Sequence, residues 1–240
     1  MNSKPVDTAA RRRASLGVLA RKWKRRPFPS NLLALRQCRI SYSQYGEDLY
    51  LTHLLGYERS HGVYVDIGCF HPISYSNTYV FYQRGWQGYC IDANAEWSAE
   101  WARYRPNDRF INAAIAPQAS PMVYLRNKRY PAMNQLLPPG LLDDAKFPAD
   151  QFSRQTVQAA PLSEVLRTAA TPSEIDLLSI DCEGMDLAIL QTLDLAEFAP
   201  RVVCVEDHEV STHSPVHEFL QARGYVMRAM LGISKIFERS

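Results

Sequence analysis

The stretch Gly62–Pro72 reads Gly-Val-Tyr-Val-Asp-Ile-Gly-Cys-Phe-His-Pro and decides the fold. Val63–Ile67 is apolar and rich in β-branched residues except at Asp66, which is typical of a strand buried on both faces of a parallel sheet. Gly68 follows at once, where the chain must turn tightly and leave room for a ligand. Because a buried carboxylate is costly unless a partner satisfies it, we interpret Asp66 and Gly68 as the floor of a nucleoside-type cofactor site. The alternative is that Asp66 caps the following helix.

A second strand is predicted at Gln87–Ile91, and the carboxylate of Asp92 follows it directly. Asp92 lies 26 residues beyond Asp66. This is close to the separation at which a βαβ unit places an acid on the ribose hydroxyls of a cofactor. A short third strand ends at Asn112, and we expect Asn112 and Ala113 to contact the adenine. The two acids in register favour a nucleoside cofactor.

Two later strands, predicted at Leu177–Ile180 and Val202–Val205, also end in polar side chains. In a doubly wound sheet the carboxyl ends of the parallel strands face one crevice. Polar groups at every strand end therefore predict an active site there. The side chains that follow the two later strands are Asp181, Glu183, Glu206, Asp207 and His208.

The pattern between these strands predicts helices and one long insertion. Ser41–Leu55 is predicted as a helix with Ser43 as its N-cap. A strand is predicted at Met122–Leu125, and Asn127–Phe152 is a polar, proline-rich excursion of a length that is usually functional in a compact domain. The other predicted elements are helices at 77–84, 96–104, 162–169, 185–193 and 215–223, and a terminal hairpin of 225–231 and 234–238.

Charge is divided unevenly along the chain, although the net charge is only +2. Residues 1–40 hold 11 Lys or Arg and one acid, a net charge of +10, which leaves −8 for residues 41–240. The acidic body argues against a nucleic-acid groove. We predict a basic, flexible segment at 1–40 and one globular domain at 41–240. The basic segment is either a solvated tail or a short helix that makes weak contact with an anionic membrane surface.

The five cysteines show no metal-ligand spacing, and three lie in or beside predicted buried strands. This favours a reducing, cytoplasmic setting, with peripheral contact at the inner membrane surface if the basic segment binds lipid. No apolar run approaches the roughly 18 residues that a membrane span requires. The cysteines are Cys38, Cys69, Cys90, Cys182 and Cys204.

Missing motifs narrow the choice of cofactor. The chain has no Gly-x-x-x-x-Gly-Lys-[Ser/Thr], no Gly-x-Gly-x-x-Gly after the first strand and no Gly-x-Ser-x-Gly. A dinucleotide needs glycines to seat its pyrophosphate at a helix N-terminus, but here only Gly68 is present. A nucleoside cofactor without a pyrophosphate fits better, which indicates S-adenosylmethionine.

Five motifs in order resemble the FkbM family of S-adenosylmethionine-dependent methyltransferases, over about residues 41–237. This resemblance implies an α/β, Rossmann-like class I methyltransferase fold, with a mostly parallel seven-stranded sheet and a C-terminal antiparallel strand. It also implies O-methylation, often of a sugar hydroxyl in a glycan, glycolipid or natural product. The motifs are Ser43-Gln44-Tyr45-Gly46-Glu47-Asp48, Val65-Asp66-Ile67-Gly68, Tyr75-Ser76-Asn77-Thr78, Ile91-Asp92-Ala93-Asn94 and Ile180-Asp181-Cys182-Glu183-Gly184-Met185-Asp186.

The resemblance and the strand ends together give a set of predicted site residues. For catalysis we expect His208 to act as a base with a neighbouring acid orienting it, or the acids to act directly. The alternative is that Asp181 and Glu206 hold Mg²⁺. The predicted catalytic residues are Asp181, Glu183, Glu206 and His208. The predicted cofactor-binding residues are Gln44, Glu47, Asp48, Asp66, Gly68, Asn77, Asp92, Ala93, Asn94, Asn112 and Ala113.

Two other functions remain open at this point. A nicotinamide-dependent oxidoreductase uses the same kind of sheet, although the missing glycines count against it. The second alternative is a non-catalytic Rossmann-like module that binds a partner through the basic segment. The acids at the later strand ends count against this alternative.

Overall fold

The computed structural model describes residues 38–209, 211 and 213–240. Its larger sheet has seven strands in the order β10-β11-β9-β8-β1-β2-β3. All pairs are parallel except those made by β11, which runs antiparallel to β9 and β10. The strands of this sheet are β1 (Val63–Ile67), β2 (Gln87–Asp92), β3 (Arg109–Asn112), β8 (Leu177–Ile180), β9 (Val202–Glu206), β10 (Tyr225–Leu231) and β11 (Ser234–Arg239).

Helices connect these strands, as the sequence predicts. Together with the sheet they confirm the mostly parallel seven-stranded α/β fold with a C-terminal antiparallel strand. The helices are α1 (Glu47–Leu55), α2 (Tyr79–Tyr82), α3 (Ser98–Tyr104), α4 (Leu162–Thr168), α5 (Asp186–Leu190) and α6 (Pro215–Gln221), and short 3₁₀ turns span Ala95–Trp97, Pro131–Met133 and Pro139–Leu141.

The central strands are buried on both faces, as the apolar run around Asp66 predicts. Val65 and Ile67 of β1 pack into one core cluster, and Tyr64 of the same strand packs into the other. Successive side chains of a strand point to opposite faces, so one strand supplies both clusters. The alternation places the strand ends between two packed layers.

A second, four-stranded sheet contains most of the insertion after β3. Its order is β4-β7-β5-β6, made of β4 (Ala114–Ile115), β5 (Ser120–Asn127), β6 (Gln135–Leu137) and β7 (Phe152–Ala160). The predicted strand at 122–125 is the centre of β5. The sequence analysis missed β7 because most of its side chains are exposed or half-buried, so the strand carries no clear apolar alternation.

The start of α1 differs from the prediction. The helix begins at Glu47 after Gly46, whose φ is 87°, so Ser43 is not its N-cap. The Ser43 hydroxyl instead accepts the Asp48 N–H at 3.2 Å and donates to the Asp48 carboxylate at 2.9 Å. The Ser-Tyr-Ser-Gln run is therefore a loop folded onto the first turn of the helix.

A buried ion pair fixes the chain between α3 and β3. The side chains of Arg105 and Asp108 are fully buried, with Nε and Oδ2 2.5 Å apart. Arg105 also donates to the Tyr64 hydroxyl at 2.6 Å and the Thr78 hydroxyl at 3.1 Å. Its guanidinium lies 4.3 Å from the ring centroid of Trp101. Arg105 thus ties β1, α2 and α3 together beneath the carboxyl end of β1.

Among the described residues, no helix is both long enough and apolar enough to cross a membrane. The sequence analysis predicts contact between the basic segment and a membrane surface. Nearly all residues of that segment lie outside the described part of the chain. That contact, and the domain boundary after residue 40, stay predictions.

Candidate active site

A cleft opens at the carboxyl ends of β1, β2 and β8. Ligand sites of open α/β sheets lie at this edge. The cleft contains four of the predicted cofactor residues and two of the predicted catalytic residues, namely Gly68, Asp92, Ala93, Ala113, Asp181 and Glu183.

Gly68 is the position where two backbone segments of the cleft approach each other most closely. Its φ is 72°, and a Cβ added there would lie 1.8 Å from the carbonyl oxygen of Asp181. A side chain is therefore excluded both by the left-handed backbone and by the neighbouring carbonyl. The turn after β1 and the turn after β8 can meet only because this residue is glycine.

The Asp92 carboxylate is held between two turns at the cleft wall. Its Oδ2 accepts the Phe70 N–H at 2.9 Å and its Oδ1 accepts the Asn94 N–H at 2.7 Å. Burial raises the pKa of Asp92 to about 6, although both N–H bonds favour its charged form. Because each carboxylate oxygen has two lone pairs, the fixed group can still accept hydrogen bonds from a ligand in the cleft.

Asp66 is buried next to the cleft rather than in its wall. It accepts a hydrogen bond of 2.6 Å from the Thr78 hydroxyl, and Thr78 also binds Arg105. Burial raises the pKa of Asp66 to about 6, and the hydrogen bond from Thr78 opposes this rise. The side chain thus joins β1 to the residue that precedes α2. The Asp66 carboxylate is buried and bound by Thr78, so its place in the floor of a cofactor site stays a prediction.

Six other predicted cofactor residues do not line the cleft. The Glu47 carboxylate accepts the Tyr45 N–H at 2.7 Å and the Ser234 hydroxyl at 2.9 Å. Asn112 donates to the backbone carbonyl of Asp92 at 2.9 Å. Contacts of these residues with a cofactor stay predictions. The six are Gln44, Glu47, Asp48, Asn77, Asn94 and Asn112.

The two remaining predicted catalytic residues lie at the end of the adjacent strand. β8 and β9 pair in parallel, which brings Glu206 and His208 beside the turn that carries Glu183. His208 Nε2 lies 3.5 Å from Glu206 Oε2. One ligand atom each from Glu183, Glu206 and His208 falls within 4.8 Å of the others. The structure therefore brings all four predicted catalytic side chains to one edge of the sheet.

The acids at this edge disfavour one another's ionisation. Burial, then the charges of Asp186 and Glu183, raise the pKa of Asp181. Burial, then the charge of Asp181, raise the pKa of Glu206. Because Asp181 and Glu206 interact, one of the two carboxyl groups retains its proton at a pH at which an isolated carboxyl group would be ionised. Asp181 nevertheless meets the solvent of the open cleft, so its carboxylate is available to a ligand.

The turn after β8 has a strained backbone that Asp186 supports. Glu183 has a φ of 51°, a left-handed conformation that is uncommon for a residue with a side chain. The Asp186 carboxylate accepts the Cys182 N–H at 2.8 Å and the Gly184 N–H at 3.0 Å. The sequence pattern predicted no role for Asp186 beyond its place in the motif after β8. Its hydrogen bonds hold Glu183 at the cleft.

Lys235 holds the segment after β9 and was missed in the sequence analysis. Its ammonium is fully buried and 2.7 Å from the Asp207 carboxylate. It also donates to the backbone carbonyls of Glu209 and Ser211 at 2.8 and 2.7 Å, and to the Ser214 hydroxyl at 2.8 Å. The sequence did offer a signal, because Lys235 stands in a run of apolar strand residues. A lysine buried in such a strand requires polar partners.

We expect Lys235→Met to loosen this segment, because the substitution removes four contacts and leaves the Asp207 carboxylate without its cation. Hydrogen exchange of the backbone amides of 207–214 should become faster by at least tenfold, about 1.4 kcal/mol of local stability. Lys146→Met, a change at an exposed lysine, is the control. Unchanged exchange in the first variant would contradict this role.

The insertion also contributes to the cleft, and its residues were not assigned individually. Tyr124 of β5, the segment that leads into β6 and the start of β6 itself line the cleft. The segment has no catalytic motif, so only the folded chain identifies it. The residues are Pro131, Ala132, Asn134, Gln135 and Leu136.

The strand order with one antiparallel strand, and a cleft at the carboxyl ends with an acid after β2, define the class of Rossmann-like methyltransferases. The family model of the methyltransferase FkbM domain matches residues 62–227. The chain belongs to this FkbM methyltransferase family, and the family makes it an S-adenosylmethionine-dependent methyltransferase.

No curated protein matches the chain. A solved structure, the TehB-like SAM-dependent methyltransferase from Corynebacterium glutamicum ATCC 13032 Kitasato, is 12% identical with a TM-score of 0.42. That similarity covers 95% of this chain and 99% of the other.

The residues of the cleft fit S-adenosylmethionine. Asp92 presents fixed acceptors suited to ribose hydroxyls. Ala113 and Ile115 add apolar surface at the ends of β3 and β4. We expect these residues to bind the adenosine part of the cofactor.

Asp92→Ala should weaken S-adenosylmethionine binding by about 1.5–3 kcal/mol, the typical contribution of hydrogen bonds to a charged group. Isothermal titration calorimetry measures this loss, and thermal unfolding checks that the two turns remain folded. Glu58→Ala, a change at an exposed acid far along the chain, should bind normally. Equal affinity in Asp92→Ala would contradict the assignment to ribose.

Proposed function

We propose that this methyltransferase transfers a methyl group to a hydroxyl oxygen, and that the hydroxyl belongs to a sugar of a glycan, glycolipid or natural product. The observation that carries the proposal is the group of Asp181, Glu183, Glu206 and His208 at the cleft. An acceptor that is already a good nucleophile needs no such group, whereas a neutral hydroxyl gains from a base. The family resemblance supports the sugar as the class of acceptor.

The chemistry follows from the acidity of the acceptor. The cofactor supplies an electrophilic methyl on a sulfonium. As the acceptor oxygen forms its bond to that methyl, the carbon–sulfur bond breaks and the hydroxyl proton must leave. A sugar hydroxyl is a very weak acid that stays protonated at neutral pH, so a positioned base should accelerate the reaction.

Asp181 is the residue that best combines reach with suitable basicity. It lines the cleft, and its raised pKa brings it closer to neutrality than an ordinary carboxyl group. A base of higher pKa is a stronger proton acceptor in its ionised form. His208 is more exposed, with 59% of its side chain accessible, and it is the second candidate for this role.

The orientation of the acceptor depends on the insertion. The segment around Asn134 and Gln135 forms a wall of the cleft that Asp181 also lines, so it can contact an acceptor whose hydroxyl faces that carboxylate. Positioning of this kind supplies much of the rate of an in-line transfer. We propose that this wall selects the acceptor.

A transfer assay tests the proposal. The enzyme is incubated with S-adenosylmethionine carrying a labelled methyl group and with a panel of sugars, phenols, amines and thiols. Label in an ether of a sugar hydroxyl supports the proposal. Label confined to nitrogen, sulfur or phenolic oxygen would overturn it, while leaving the methyltransferase assignment in place.

The same assay, with calorimetry, bears on the earlier alternatives. Membership in a methyltransferase family favours S-adenosylmethionine over NAD or NADP, and heat of binding with the first alone is the expected result. A protein that binds S-adenosylmethionine without turning over any acceptor would instead support the non-catalytic module.

We also propose a cytoplasmic setting for the reaction, with weak membrane contact through residues 1–40. Cys69, Cys90 and Cys204 are buried without disulfide bonds, which suits a reducing compartment. The membrane contact is supported by the charge of the segment alone. Co-sedimentation with anionic vesicles, of the full chain and of residues 41–240, tests the membrane contact. Equal association of the two proteins with the vesicles would rule out a contact through residues 1–40.

A further inference from the structure

Three side chains at the edge of the cleft form a set of potential metal ligands. One donor atom from each of Glu183, Glu206 and His208 lies within 4.8 Å of the other two. Opposite ligands of a divalent ion are about 4.2–4.8 Å apart when each bond is about 2.1–2.4 Å long. The three atoms therefore already span the size of a coordination sphere.

The Glu206 carboxyl group gives independent evidence for a bound ion, because one of its buried oxygens has no partner. The residue is only 7% exposed. Its Oε2 is buried without a hydrogen-bond partner among the described residues, and the nearest basic atom is His208 Nε2 at 3.5 Å. Buried carboxylate oxygens are nearly always hydrogen-bonded, paired with a charge or bound to a metal.

No protein cation neutralises the surrounding acids in the described part of the chain. None of the ion pairs formed there by lysine or arginine involves Asp181, Glu183, Asp186 or Glu206. The nearby ammonium of Lys235 is fully engaged by Asp207 and the carbonyls of the following segment. A bound ion would supply the missing positive charge.

We propose that Glu183, Glu206 and His208 bind one divalent metal ion, and that the ion lies at the edge of the cofactor cleft. Two carboxylates and one imidazole suit Mn²⁺ or a related first-row ion better than Mg²⁺, which prefers oxygen ligands alone. This ligand set replaces the pair of Asp181 and Glu206 expected from the sequence. Asp181 then remains free as a base.

The role of the ion in catalysis rests on the proposed function, whereas the binding site does not. An ion at this edge can bind the acceptor hydroxyl and lower its pKa, which eases proton transfer to Asp181. It also removes the repulsion between the carboxylates. The exposed position of His208 gives the ion access from solvent.

Titration of the full-length protein with Mn²⁺, followed by electron paramagnetic resonance of the free ion, tests the site directly. We expect saturable binding of one ion per chain. Glu206→Gln and His208→Ala should each weaken it by at least about tenfold, since even partners of metal ligands contribute 10–100-fold. Glu218→Gln, a change at an exposed acid of α6, should leave it unchanged.

Binding of S-adenosylhomocysteine serves as the control for folding in each variant. His208→Ala is the safer variant because the side chain is largely exposed. No saturable Mn²⁺ binding, or equal binding in wild type and both ligand variants, would overturn the metal site. Full transfer to a sugar hydroxyl in the presence of a chelator would overturn the role of the ion alone. Tight Mn²⁺ binding without any sugar methylation would refute the proposed function and not the site.

Discussion

Asp181→Asn is expected to lower turnover by about 10²–10⁴, the usual contribution of a general acid–base group. The substitution keeps the size of the side chain but removes its ability to take the acceptor proton. Affinity for S-adenosylmethionine should stay within a few-fold, because the cofactor contacts assigned above are on other strands. Single-turnover transfer to a sugar acceptor measures the chemical step.

The pH dependence of turnover provides a second test of Asp181 as the base. A base acts in its ionised form, and burial is the largest cause of the raised pKa of Asp181. Turnover of the wild type should therefore increase as the pH rises through that raised pKa and fall as Asp181 becomes protonated below it. The rise should disappear from the residual activity of Asp181→Asn.

The control is Asp194→Asn, which makes the same change at an exposed acid after α5. Wild-type turnover in Asp181→Asn, with an acceptor that the wild type methylates efficiently, would refute the assignment of Asp181. His208 would then become the candidate base, provided that His208→Ala lowers turnover without weakening Mn²⁺ binding.

Arg105→Met is expected to destabilise the protein by about 3–5 kcal/mol, since it leaves the carboxylate of Asp108 buried without its cation. The guanidinium also holds the hydroxyls of Tyr64 and Thr78. Chemical denaturation of wild type and variant measures the loss as a lower unfolding midpoint at similar slope.

Arg103→Met, two residues earlier in the last turn of α3, is the matched control. Arg103 is exposed and its guanidinium lies over the ring of Tyr104, so the change should stay within about 0.5 kcal/mol. If Arg105→Met were as stable as Arg103→Met, the buried pair would not hold β1, α2 and α3 together.

The central strands were predictable because burial on both faces leaves a simple pattern in the sequence. β8 was predicted with its observed bounds, and β1 was apparent from Val63–Ile67. The acids after β2 and β8 were predictable because parallel strands place their carboxyl ends at one edge. For these elements, local sequence and fold topology agree.

The parts of the fold and the site that were not predicted depend on contacts between segments far apart in the sequence. The loop before α1 is rich in polar residues that resemble a binding motif, yet Glu47 is satisfied by Ser234 from the other end of the chain. Lys235 is likewise matched to Asp207, 28 residues earlier. Such pairings are set by three-dimensional proximity, which a single sequence does not display.

The close approach at Gly68 couples two halves of the site mechanically. The backbone beside the cofactor and the backbone that carries Asp181 are in contact, with no side chain between them to absorb a displacement. A displacement of one turn is therefore expected to displace the other. Substitutions in the insertion can change the shape of the cleft while the spacing between these two turns stays as the main chain sets it.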